Sequence, residues 1–342
     1  MDPLTHTLVG VNLAATPLGR DKTRLGAAAL VLGANLPDVD SILYFTGHSD
    51  LALGFRRGWT HGILALFVLP FVQTALLMLF ARLRPGPPVS GPWLLLLSSI
   101  GIVTHPALDW LNTYGMRWLM PFRGTWSYGD SVFIMDPLLW LILGGGWLAG
   151  RRATPPMIGL WIFFAGALAW VVGRRSPSYL IVVGIVAAIL LGALLWRTTR
   201  SFAVPALVVT ALYIGARLAI HHATTLEVRR QIGEPVTRMM AGPHPLDPTR
   251  WDVVAQTGDH YRYGTFQWRG RVLTLAERRL PVAKDSPEWE AARRHPSIRG
   301  FITWVRFPWY EVERGTSSTV VRVHDARRAM RGDSGREVVI GR

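Results

Sequence analysis

The chain has 342 residues and no cysteine; half its residues are hydrophobic, 17% are charged, and the formal net charge is +15. A soluble globular chain carries about 25% charged residues. Composition therefore excludes a single soluble globule, a disordered chain and a disulfide-stapled secreted scaffold. With no cysteine, thiolate metal sites, iron–sulfur clusters and cysteine nucleophiles are excluded too.

The charge deficit is uneven. Residues 1–223 hold 16 Lys+Arg and 8 Asp+Glu, and residues 224–342 hold 21 and 14. The first part is membrane-like and the second soluble-like. The positive charge splits +8 and +7 between them. Topology-setting arginines and attraction to anionic lipid account for it, and no nucleic-acid partner is expected.

In chain order, residues 1–24 lack the apolar core of a cleavable signal peptide. Residues 25–36 are an apolar run too short to span a bilayer, read as a short or re-entrant helix ending at Pro37. Spans are predicted over 62–81, 93–110, 132–149, 156–173, 178–196 and 202–220. The expected fold class is mainly α: a polytopic helical membrane domain over 1–223 with about six spans. A small β-rich domain is expected over 224–342, where TFQWRGRVLTL, FITWVRFPWYEV and STVVRVHD read as strands.

All eight acids of the first part are aspartates, and carboxylates kept near lipid are functional-site candidates. Six of them (Asp2, Asp38, Asp40, Asp109, Asp130 and Asp136) fall in short polar motifs with His6, Asn35, Arg57, His61, His105 and Asn112; Asp21 and Asp50 do not. His61 opens the first long span, His105 and Asp109 close the second, and Asp136 opens the third. Antiparallel spans bring these to one membrane face, with Asp38 and Asp40 a short connection away. His105 and Asp109, four apart, share one helix face. Imidazole and carboxylate together suit Zn²⁺ or Mn²⁺. A metal ion there would offset the buried negative charge and activate water as a nucleophile. Each motif alone also has a structural reading: Asp38 as a turn residue, Asp136 as a helix start before Pro137.

At these residues the chain resembles a known family. MDPLTHTLVG, LGANLPDVDSI, RGWTHGILAL, THPALDWLNTYGMRWLMPF and WSYGDSVFIMDPLLW occur in order, with FITWVRFPWYEVERG and VVRVHDAR near the end. They resemble the YdjM-like family of bacterial inner-membrane proteins described as metal-dependent hydrolases. That description traces to similarity with zinc-dependent phospholipase C and single-strand nucleases. In those all-helical enzymes a histidine and an aspartate four apart share metal ions. The resemblance implies the same for His105 and Asp109, with His61, one of Asp38 and Asp40, and His6 as further ligands. Gly62 stands where the family often has a polar residue.

The expected function is a membrane-bound metal-dependent hydrolase of an ester or phosphoester in the bacterial inner membrane, the substrate a lipid or lipid-linked one. The expected ligands of a divalent ion, zinc first, are His6, Asp38, Asp40, His61, His105 and Asp109. Asp130 or Asp136 is expected to act as base or orienting residue. The alternatives are a proton- or cation-coupled transporter, disfavoured because the polar residues do not continue through the later spans, and a non-catalytic scaffold. Arginine counts on the two faces are equal, six and six, so the positive-inside rule does not orient the chain.

Overall fold

A computed structural model of the chain describes residues 1–84, 86–149, 154–173, 202–245, 247–332 and 335–341, with positions 184 and 187. The span expected over 178–196 thus lies outside the described residues, apart from those two positions. The chain divides into two compact units. The first holds Met1–Val39, Arg57–Ile220 and Pro243–Pro248, and the second holds Asp40–Arg56, His221–Gly242 and Thr249–Arg342.

The helices begin with α1 (Pro3–Ala15), α2 (Pro17–Arg20) and α3 (Gly26–Gly33), then a 3₁₀ segment (Leu36–Thr46) and α4 (Ser49–Phe55). Next come α5 (Ile63–Leu83), α6 (Gly91–Trp110), α7 (Pro137–Ala149), α8 (Pro155–Gly173) and α9 (Ala203–Ile232). Three helices among the described residues are long and apolar enough to cross a membrane: α5, α6 and α9. A fourth crossing is formed if α3 and the 3₁₀ segment, bent by 46° to each other, count as one broken span.

Two expectations change here. Among the described residues, the span predicted over 132–149 is a helix of 13 residues. Thirteen residues rise about 20 Å, short of the roughly 30 Å hydrocarbon core. It starts late because Asp136 and Pro137 set the first turn: the Asp136 carboxylate accepts the N–H of Leu138 at 2.9 Å. The short helix expected over 25–36 continues instead past Pro37 as a 3₁₀ segment.

The exposed faces explain why composition reads as membrane. In α5 only 28% of an 18-residue window with mean hydropathy 2.4 is buried within the protein. Phe67, Phe71, Leu76 and Leu79 face outward, an apolar surface that lipid covers. The inward faces meet through small residues and polar ties. A Cβ on Gly101 of α6 would sit 2.7 Å from the Leu30 carbonyl oxygen, and one on Gly33 of α3 would sit 3.1 Å from the Ser98 carbonyl oxygen. Glycine on both helices lets the backbones approach. Asn12 of α1 donates to the Leu143 carbonyl of α7 at 2.8 Å, and Gln73 of α5 donates to the Ala29 carbonyl of α3 at 2.6 Å. Leu94, Leu97, Ala29 and Leu30 close the α3–α6 core, all fully buried.

Strands β1 (Val236–His244), β2 (Asp247–Thr257), β3 (His260–Gln267), β4 (Val272–Leu275) and β5 (Leu280–Pro281) form one sheet. Its order is β1-β2-β3-β4, with β5 also on β3. Strands β6 (Pro308–Arg314), β7 (Ser318–Asp325) and β8 (Arg336–Gly341) form a second, antiparallel sheet. Trp251, Tyr261 and Phe266 are fully buried here. Between the sheets in sequence lie α10 (Pro287–Arg294) and α11 (Arg299–Trp304). The strand expected across FITWVRFPWYEV is therefore helical in its first third. Phe301–Trp304 turns with α11, and the strand begins only at Pro308.

Candidate metal centre

Three places in the first unit supply the donors. Asp38 follows Pro37 at the start of the 3₁₀ segment, His61 stands in the turn before α5, and His105 and Asp109 share one face of α6. His61 Nε2 and His105 Nε2 are 3.2 Å apart. Asp38 Oδ1 lies 3.7 Å from each of them. Asp109 Oδ2 lies 3.5 Å from His61 Nε2 and 3.7 Å from His105 Nε2. Donors about 2.0–2.2 Å from a tetrahedral ion are about 3.3–3.6 Å from each other. These five separations, 3.2–3.7 Å, lie close to that range. Two imidazole nitrogens and two carboxylate oxygens, all within 4.8 Å of one another, form a group that could hold a metal ion.

The histidines are held by their other nitrogens. His105 Nδ1 lies 2.7 Å from the Ala34 carbonyl oxygen, which can only accept. The proton of a neutral His105 is thus on Nδ1, and Nε2 turns a lone pair toward the cluster. His61 Nδ1 is held by Thr60 Oγ1 at 2.8 Å. The close backbones at Gly33 and Gly101 set this geometry, since Ala34 follows one glycine and His105 lies one turn beyond the other.

Asp109 is held from behind. Arg57 meets it at two points: Nη2 donates to Oδ1 at 3.0 Å, and Nε lies 2.9 Å from Oδ2 as an ion-pair contact. The same guanidinium donates to Asn112 Oδ1 at 2.9 Å and lies 4.4 Å from the Tyr114 ring centre. Arg57 is only 2% exposed. Its φ of 53° is the left-handed conformation that ordinary side chains avoid, maintained by these contacts. His6 adds Nε2 at 3.3 Å from Asp109 Oδ1 and stacks on His105, with ring centres 3.7 Å apart. The Met1 amino nitrogen also lies against Asp109 Oδ1.

The other residues singled out from sequence stand elsewhere. Asp40 is buried beside Arg56, 4.0 Å away, and belongs to the second unit. Asp136 starts α7 and accepts a hydrogen bond from Tyr213 at 2.7 Å. Asp130, 3% exposed with a φ of 47°, lies in a loop whose neighbours Gly129 and Ser131 donate to carbonyls at the end of α6. Asp2 caps α1 through Thr5, and Asn35 bridges Thr7 and Val31. Sequence reading placed Arg57 in a polar motif but gave it no role at the site. The signal was its place four residues before His61.

Fold and cluster together define a helical membrane protein with a buried His/Asp group able to hold a metal ion. The chain belongs to the YdjM inner membrane protein family, whose model matches residues 1–177. It is 27% identical over 176 residues to the uncharacterized protein YfhP of Bacillus subtilis (strain 168), a match covering 48% of this chain and 52% of that one. The chain thus spans about half the length of the curated relative it matches. No solved structure matches it.

Proposed function

We propose that Asp38, His61, His105 and Asp109 bind a divalent ion, zinc first, and that the protein is a multi-pass hydrolase of esters or phosphoesters in the bacterial inner membrane. The single observation that carries this reading is the grouping of the four donor atoms within 4.8 Å of one another. A divalent ion held there supplies Lewis acidity, polarising an ester oxygen and making water a better nucleophile. The chain's own residues do the rest. Arg57 and His6 orient Asp109, Ala34 and Thr60 orient the two imidazoles, and the helical packing keeps bulk water out. Asp38 is 15% exposed at its side chain while the other three are 0–1% exposed, so substrate reaches the cluster past Asp38. Val39 beside it is 53% exposed, an apolar neighbour suited to a lipid or lipid-linked substrate. In this reading the helical part to residue 223 carries the chemistry, and Asp130 and Asp136 support it from the loops that follow α6.

Metal analysis of purified protein tests the reading. The wild type should carry about one zinc per chain, and an Asp38→Ala/His61→Ala double variant should carry none. Equal metal content in the two proteins would overturn it.

A further inference from the structure

Between Asp38 and His61 the chain makes an excursion through the 3₁₀ segment and α4. Val39 is the last residue of the first unit before it and Arg57 the first one after it, while Asp40–Arg56 belongs to the β-rich unit. The excursion is closed at its base. Asp40 and Arg56, its first and last residues, pair at 4.0 Å, and the Arg56 guanidinium lies 5.7 Å from the Tyr44 ring centre. Further out it is gripped. Asp50, one of the two aspartates outside the polar motifs, accepts the N–H of Gly300 at 2.6 Å and of Phe301 at 2.8 Å. These belong to the first turn of α11, whose N–H groups have no partner within the helix. The backbones touch at the same place. A Cβ on Gly54 would lie 2.9 Å from Gly300 Cα, and a Cβ on Gly300 would strike the Asp50 carbonyl.

Both ends of this excursion run directly into cluster residues: Asp38 two positions before Asp40, and Arg57 and His61 after Arg56. We infer that Asp40–Arg56 is a strap, gripped by the first turn of α11, whose closed base fixes where the chain leaves Asp38 and returns to Arg57–His61, with Asp50 as its positioning residue. The inference rests on the metal reading above. With the strap released, an ion must order Asp38 and His61 as it binds, and its affinity falls. By reciprocity, ion binding tightens the strap on α11.

The test uses the full chain in nanodiscs with cobalt(II) as the probe, read by its visible absorption. Asp50→Ala removes the cap, and Gly300→Ala breaks the same contact from the β-rich side without changing charge. The isosteric Asp50→Asn serves if either variant does not fold. Each variant should weaken cobalt binding about tenfold, and the double variant should be no weaker than the worse single one. In the wild type, cobalt should slow hydrogen exchange at the Gly300 and Phe301 amides. Cobalt affinity within about twofold of wild type, in variants whose Gly300 and Phe301 amides have lost protection, overturns the strap and leaves the metal reading standing. A wild type with no saturable cobalt spectrum removes both.

Discussion

Arg57 is the residue on which the centre leans. A buried guanidinium between a carboxylate, an amide and an aromatic ring has lost its hydration, and these contacts help to offset that loss. Truncation removes from Asp109 the guanidinium that pairs with it. Arg57→Ala should therefore cost about 3–5 kcal/mol of stability, read as a lower melting temperature in detergent. Arg57→Lys keeps the charge but not the two-point contact, and should fall between the two. A loss under about 1 kcal/mol for the alanine variant would show that the pair is not structurally important. The same residue shows where reading a sequence stops. An arginine beside a span has an ordinary explanation in topology, and nothing local separates that from burial. His105 and Asp109 were legible because a helix turns four-residue spacing into adjacency. The tie from Asp40 to Arg56 was not, because fifteen residues of chain intervene and only the folded excursion brings them together.

At the scale of elements, α3 and α6 matter most. Their contact depends on two glycines, and the histidine that faces the cluster lies one turn along from one of them. Gly101→Ala places a methyl group against the Leu30 carbonyl, so α3 must move away. The expected cost is about 1–3 kcal/mol, with a shifted visible spectrum of bound cobalt as His105 loses the Ala34 carbonyl. An unchanged spectrum and melting curve would mean that the helices separate without disturbing the centre. The long apolar helices were legible from hydropathy alone, since a run of about twenty apolar residues has few other uses. Helix ends were less so. The late start of α7 depends on how the Asp136 carboxylate is used, and the turn at Phe301–Trp304 depends on an aspartate 250 residues earlier in the chain.

At the scale of the whole molecule, the membrane-like and soluble-like compositions are reflected in a mostly helical chain with a C-terminal β-sheet region. The β-rich unit has its own acid sensitivity. Burial pushes the Asp325 carboxyl up. The Arg327 guanidinium and the backbone N–H groups of Arg327 and Arg306 outweigh that and hold it below the usual carboxylate range. A carboxyl with a depressed value in the folded state contributes stability above its unfolded value of about 3.9. That contribution is lost as pH falls through the folded value. Circular dichroism of the β signal should therefore show stability falling below about pH 4, with a smaller slope in Asp325→Asn. An identical acid profile for the variant would assign the sensitivity to other groups.

The bond from His105 to Ala34 has one more consequence. Ala34 ends α3, and the carbonyls at the end of a helix have no N–H donor left inside it. The imidazole of His105 supplies one from another helix. It is the stopper of α3 as well as a donor to the cluster, so its replacement unmakes a helix terminus along with a ligand. Drift at position 105 is opposed by folding itself, and a variant there reports on two losses at once, whereas Asp38 and His61 report on the centre more directly.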